Sequence, residues 1–240
     1  MSGGFSKVIA SSDEVERLLS EMDPESKKSL KSWYWFDWAN QAFALTVITV
    51  VVPTLLSNMF NLANGGSAEY AGMTFTGDSF YAVVLGISSV FVAIVSPVLG
   101  AVADRMPIKK KILKIYTIVG ILFTALMGLA PYMSEGSSYK FLAICLIMGN
   151  IGFAGGHAIY SAFLPYLGDK RLMDHISSWG YAYGFLGGST LLTIHLIVGL
   201  RFGFEDPNVQ CFVFLTSALW WLGFSVPFFR NTPEPEIPKP

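Results

Sequence analysis

Charge is what this chain has least of. Asp, Glu, Lys and Arg make up 14% of its 240 residues, where a water-exposed domain carries about a quarter. The shortage is concentrated in six windows, Trp38–Met59, Ser79–Ala103, Ile115–Ser134, Phe141–Gly168, Ile176–Leu200 and Val209–Phe229, which contain none of the four. Cysteine is almost as scarce. Cys145 and Cys211 are the only two, and both fall inside these windows, which argues against a disulfide framework and for buried packing residues. The 3 His residues form no ligand spacing with cysteine, so no metal is expected. No Gly-rich phosphate loop is present. No basic block carries interleaved aromatics, so neither a nucleotide nor a nucleic acid is an expected partner. No cofactor is indicated.

What remains is apolar. Hydrophobic residues are 52% of the chain and mean hydropathy is +0.51. A helix needs about 20 apolar residues to cross a bilayer. In lipid the backbone must satisfy its own hydrogen bonds, so each window reads as a helix. The expected fold is all-α: a polytopic membrane protein with six transmembrane helices in the lipid bilayer. The first thirty residues are polar, and the first apolar stretch is too long for a signal peptide core. Trp38–Met59 therefore reads as an uncleaved signal anchor.

The basic residues orient the spans. Of 16 Lys and Arg, all but Lys140 and Arg201 fall in the N-terminal segment, the loop after span two, the loop after span four and the C-terminal tail. The positive-inside rule then puts both termini in the cytoplasm. Trp33, Tyr34, Trp35, Phe36 and Trp38 fit an interfacial belt at the start of span one. Three segments follow: a cytoplasmic lead, 1–32; a six-helix bundle, 33–230; and a Pro-rich tail, 231–240, read as extended and without a fold of its own. In the lead, Ser11 and Glu14 make a capping box. Val15, Leu18, Leu19 and Met22 fall on one face of a short amphipathic helix, and Pro24 limits its length. Asn61–Asp78 reads as an exterior loop. Two three-helix units forming an inverted pair are a plausible arrangement.

Several residues carry candidate chemistry. After span two, Gly100 precedes Asp104 and Arg105, and Lys109 and Lys110 follow. An acid at a membrane boundary can hold a basic partner or a helix N-terminus in one state and release it in another. Asp37, Asn40 and Gln41 share one face in the first turns of span one. Asn150, Ala154, His157 and Ser161 form one stripe of span four. These two sets are candidates for a substrate or proton pathway, against a plainer reading as interhelical hydrogen bonds. His195 reads as an interfacial residue. Gly180, Gly184 and Gly188, like Gly152 and Gly156, have the small-xxx-small spacing of close helix packing. Ser88 with His157 has the composition, though no oxyanion hole, of an intramembrane serine protease; an enzyme is not the expected reading.

The stretch Gly100-x-x-x-Asp104-Arg105 with Lys109 and Lys110 resembles the signature loop of the major facilitator superfamily, departing from it at Pro107, where Gly is usual. Phe36-Asp37-Trp38-Ala39-Asn40-Gln41-Ala42-Phe43 opens span one. Ser96-Pro97 precedes the loop. Asn150-Ile-Gly152-Phe153 and Tyr160-Ser-Ala-Phe163-Leu164-Pro165 lie in span four. Ser178-Trp179-Gly180 through Gly187-Gly188 opens span five. In this order they resemble the vacuole-effluxer branch, known from fungal vacuolar amino-acid exporters, from about Trp35 to Pro227. The resemblance implies secondary transport of a small solute, with amino acids as the implied class, at a site between two six-helix halves. Only the first half is matched. A separately encoded second half, a homodimer, a truncated product and a non-transporting membrane scaffold are the competing explanations, with a partner chain favoured. The implied location is the cell membrane of a prokaryote or a fungal endomembrane.

Overall fold

The computed structural model describes residues 11–235; the side chain of Asp104, and the positions of Lys7, Pro238, Lys239 and Pro240, lie outside that description. Six helices are long and apolar enough to cross a membrane: Pro24–Asn64, Gly77–Ala103, Lys109–Tyr132, Glu135–Tyr166, Lys170–Phe202 and Pro207–Asn231. They are called spans one to six. Each contains or closely overlaps one charge-free window, and most run beyond it because a helix continues into the polar interface once started. Span one begins at Pro24 rather than near residue 33. Asp23 caps it by accepting from the N–H groups of Glu25 and Ser26, and proline suits the first helical position.

Helix α1, Ser12–Glu21, precedes span one. The Ser11 hydroxyl accepts from the Glu14 N–H. Leu18 is buried with Leu167, Leu172 and Ile176, and Glu14 pairs with Arg171 at 2.6 Å. The amphipathic helix thus lies on the bundle's own polar end. Hydrogen bonds from Arg171 hold the Asp169 carboxyl down at about 2, so this acid is ionised throughout the physiological range.

The segment between spans one and two is more ordered than a plain loop. Strands β1, Ala68–Tyr70, and β2, Met73–Phe75, pair antiparallel with Glu69 opposite Thr74. Ala71 and Gly72 both have positive φ, 51° and 76°, the conformation of a two-residue turn whose twist matches its strands. The Tyr70 and Tyr139 hydroxyls meet at 2.9 Å, which ties the hairpin to span four. The two ends of the bundle are named accordingly. The terminal face carries α1 and both described chain ends, joined where Asn231 Nδ2 donates to Ser32 Oγ at 2.9 Å. The hairpin face is opposite.

Span one packs along spans five and six, and span four against spans two and three. The two sets interchange when spans one to three are exchanged for spans four to six. Spans one and four share another feature: each leaves α-helical geometry in its middle, at Phe43–Val51 and Ile151–Gly155, for a stretch of π-helix. Such widened turns are costly and concentrate at functional sites. Two apolar cores hold the bundle together. One, toward the hairpin face, includes Phe43, Leu56, Phe60, Leu146, Phe214 and Trp221. The other, at the terminal face, gathers Trp33, Phe36, Leu113, Tyr160, Phe163 and Phe228.

Spans three and four cross backbone to backbone. A Cβ on Gly152 would meet the Gly120 backbone, and the Tyr116 carbonyl at 2.7 Å. Backbone atoms cannot step aside, so Gly152→Ala is expected to destabilise by about 1–3 kcal/mol, the usual cost of overpacking. Gly86 on span two has nothing within 4 Å of its Cβ position, so Gly86→Ala is expected to be neutral, or stabilising by up to about 1 kcal/mol through helix propensity. Unfolding midpoints of the two variants in a denaturing-detergent titration check this pair. Equal midpoints would contradict the packing described.

Candidate functional site

The polar turn of span one is enclosed. Asp37 is 4% exposed, and its Oδ1 has no hydrogen-bond partner; Asn40 is 2% exposed with its Oδ1 equally unpartnered. No cation pairs with Asp37 among the described residues. The cover comes from span five. A Cβ on Gly184 would stand 2.7 Å from Asp37 Oδ2 and from Gln41 Cγ; one on Gly180 would strike the Trp33 ring; one on Gly188 would strike Leu45 and the Gln41 carbonyl. The three glycines therefore let span five lie directly over Asp37 and Gln41. A larger residue at position 184 cannot coexist with the present position of the carboxyl.

Just toward the terminal face, spans one and four meet through aromatics. Trp33 stacks on Tyr160 with ring centroids 4.5 Å apart. The Tyr160 hydroxyl donates to the Trp33 carbonyl at 3.1 Å, and Trp33 Nε1 donates to the Tyr160 carbonyl at 3.4 Å. Phe36 and Phe228 complete this seal. The two helices that carry the candidate pathway residues are thus clamped at one end.

The stripe on span four divides. Asn150 is buried, and its Nδ2 donates to Ser88 Oγ of span two at 2.8 Å. His157 and Ser161 are exposed on the bundle's surface, Ser161 donating to the His157 carbonyl. His157 stacks against Phe153. Gly156 faces Tyr116 at ordinary contact distance. Ser88 and His157 form no dyad: the Ser88 hydroxyl gives its proton to the Leu85 carbonyl at 2.7 Å.

His195, near the hairpin-face end of span five, is enclosed by the bundle. It is 2% exposed, with Nε2 2.8 Å from Thr216 Oγ1 and Nδ1 3.4 Å from Thr46 Oγ1. The turn that follows span five folds Phe204 back onto Gly199. Gly203, at φ +98°, makes that reversal possible.

In the loop after span two, Asp104 sits in the last turn of its helix and Arg105 is exposed. Nothing lies within 4 Å of a Cβ on Gly100. Lys109 is buried at 6% exposure, its ammonium 3.4 Å from the Tyr166 hydroxyl and 4.9 Å from that ring's centre. The C-terminal tail, read from sequence as extended and unfolded, is docked here as far as Pro235. The Lys110 N–H donates to both carboxylate oxygens of Glu234, at 2.9 and 3.2 Å, and Lys110 Nζ donates to the Thr232 carbonyl at 2.6 Å. The start of span three has no cap of its own from Ile108, and Glu234 supplies one from 124 residues away. Sequence reasoning missed this contact; an acid three residues past the end of span six was its only trace.

The family profile described as "Vacuole effluxer Atg22 like" matches residues 25–239. The chain belongs to this family. Among curated proteins it is 27% identical over 210 residues to the uncharacterized MFS-type transporter YxiO of Bacillus subtilis, covering 85% of this chain and 46% of that one. It is 22% identical over 235 residues to autophagy-related protein 22 of Kluyveromyces lactis, with the same coverage. The chain therefore spans about half the length of the curated relatives it matches. The family is described as a vacuole effluxer and the Bacillus relative as a transporter. No solved structure matches the chain.

The tail contact makes a direct prediction. A carboxylate cap on a helix N-terminus contributes about 1 kcal/mol. Glu234→Ala should raise the hydrogen-exchange rate of the Lys110 amide about fivefold or more, and Asp169→Asn, elsewhere on the same face, should leave it unchanged. An unaltered Lys110 rate in Glu234→Ala would show that the tail does not hold this helix.

Proposed function

We propose that the chain is one six-helix half of a secondary transporter that moves a small solute by alternating access. It works with a second half, on a separate chain or in a second copy. The relatives' description as transporters supports the class of activity. Amino acids are the substrate class that the family resemblance implies. The charge pattern favours a cytoplasmic terminal face, and with it a cytoplasmic position for the loop after span two and for the docked tail.

The observation that carries the mechanism is Asp37. An acid enclosed between helices with no cation beside it is expensive to maintain and marks function by default. Its cover is a glycine face, which one helix can slide along without unlocking side chains. Movement of span five along Gly180–Gly188 admits water to the carboxyl, and return excludes it. A carboxyl whose hydration alternates in this way takes up a proton in one state and yields it in the other, which couples solute movement to a proton gradient. Asn40 and Gln41 stand on the same turn to contact the solute. The π-helical middles of spans one and four supply backbone carbonyls free of the usual helical partner. The Ile48 carbonyl already accepts from the Tyr81 hydroxyl at 2.8 Å.

The outward face of span two supports the second half. Ile87, Val90, Ile94 and Val98 are each more than half exposed, and Gly86 and Gly100 stand on the same helix with nothing opposite them. Asp104 and Arg105 end that helix, where a latch between halves is expected. His157 and Ser161, also exposed, are the span-four candidates for the pathway between halves.

Reconstitution tests this reading. Vesicles containing the chain with its partner half should take up labelled amino acids when an inward proton gradient is imposed. Asp37→Asn should abolish gradient-driven uptake, by at least about a hundredfold, while leaving solute exchange at equal pH. Full gradient-driven uptake by Asp37→Asn would overturn the assignment of the proton to this carboxyl. Absence of any solute flux with the partner present would favour a membrane scaffold.

A further inference from the structure

Span one diverges from spans five and six toward the hairpin face, and a cavity of about 310 Å³ opens between them. Its walls are aliphatic, Leu55, Leu192 and Val213 among them. Five polar residues interrupt them: Thr54, Asn58, His195, Glu205 and Gln210. This volume is at the lower end of the range for small-molecule sites, and apolar walls with a few convergent polar groups are their usual composition. The cavity lies inside this half, away from the exposed faces of span two and span four.

Of these five, Thr54 and Asn58 can donate as well as accept. Gln210 is 92% buried, and its Nε2 donates to the Phe204 carbonyl at 3.0 Å. Its Oε1 is left as an acceptor with no partner among the described residues. Thr216 donates its own proton to the Phe212 carbonyl at 2.6 Å, so it can only accept from His195. His195 therefore donates from Nε2 to Thr216, and its Nδ1 faces Thr46 Oγ1 at 3.4 Å. Glu205, which is exposed, is the one carboxylate among the described lining residues, and no Lys or Arg is among them. The site offers one carboxylate, a buried amide oxygen, the two-way polar groups of Thr54 and Asn58, and an apolar chamber.

We infer that this cavity is a binding site for a small organic cation, a primary amine with an apolar body. Its ammonium is held by Glu205 at the mouth and by Gln210 Oε1, and its body fills the chamber beneath. The π-helical stretch of span one contributes Val50 and Val51 to the wall, so an occupant presses on the same distorted segment that leads down to Asp37. This inference does not depend on the transport reading, since the cavity is complete within one half.

Three probes sharing one ring test it on the full chain in lipid nanodiscs: 2-phenylethylamine, 2-phenylethanol and 3-phenylpropanoate. Binding is read by the shift in melting temperature and by saturation-transfer NMR. The amine should raise the melting temperature and show saturation transfer; the alcohol and the carboxylate should do so at least about tenfold more weakly, the worth of one charge-assisted hydrogen bond. Glu205→Gln, an exposed substitution without packing cost, should remove the preference for the amine. Leu196→Trp, which fills the chamber from its exposed wall, should abolish binding of all three probes with the unliganded melting temperature retained. Equal shifts from the three probes would mean a groove for any apolar chain, such as a lipid tail, and would overturn the proposal. So would a lack of response to the amine, or its undiminished binding by Glu205→Gln.

Discussion

In a bilayer, helices gain nothing from hiding apolar surface from one another, because lipid is as apolar as they are. What holds these six spans in one arrangement is the close approach that small residues permit. Span four reaches the backbone of span three at Gly152 and Gly120, and span five lies over span one along Gly180, Gly184 and Gly188. The aromatic clamp of Trp33 and Tyr160, the burial of Asp37 and the cavity beside His195 all depend on where those contacts put spans one, four and five. The glycines that meet nothing, Gly86 and Gly100 on span two, follow the same logic in reverse. No other span of this chain approaches them.

The sequence made the spans legible because the constraint behind them is simple. A segment that must cross lipid cannot carry unpaired charge, and the six gaps in charge mark the six helices. The short amphipathic helix at Ser12–Glu21 was equally readable, from a cap and a repeating apolar face. What was not readable depends on residues far apart in the chain. Nothing local in Glu234 indicates that it caps a helix beginning at Lys109. The π-helical middles of spans one and four come from tertiary packing and have no residue signature. The hairpin at Ala68–Phe75 is too short to show alternation. The enclosure of His195 was not readable either, because its partners Thr46 and Thr216 lie on spans one and six.

The candidate site was half legible. The polar residues of spans one and four could be named, but their roles could not be separated. The structure gives Asn150 to a bond with Ser88, leaves His157 and Ser161 on an open surface, and encloses Asp37 without a counter-ion. The two polar sets thus contain a packing residue, two surface residues and a buried acid. The glycine spacing was read as helix packing, and the geometry adds what it packs against: the carboxyl itself.

The second half proposed above would cover the exposed stripe and the open glycines of span two. The most direct measurement is the environment of that face in a native membrane. A spin label at position 94 of span two, compared with one at Leu219 of span six, reports contact with lipid through its exposure to dissolved oxygen. The account predicts that the span-two label is shielded by protein, with oxygen accessibility well below that of the span-six label. Equal, lipid-like accessibility at both positions would contradict it.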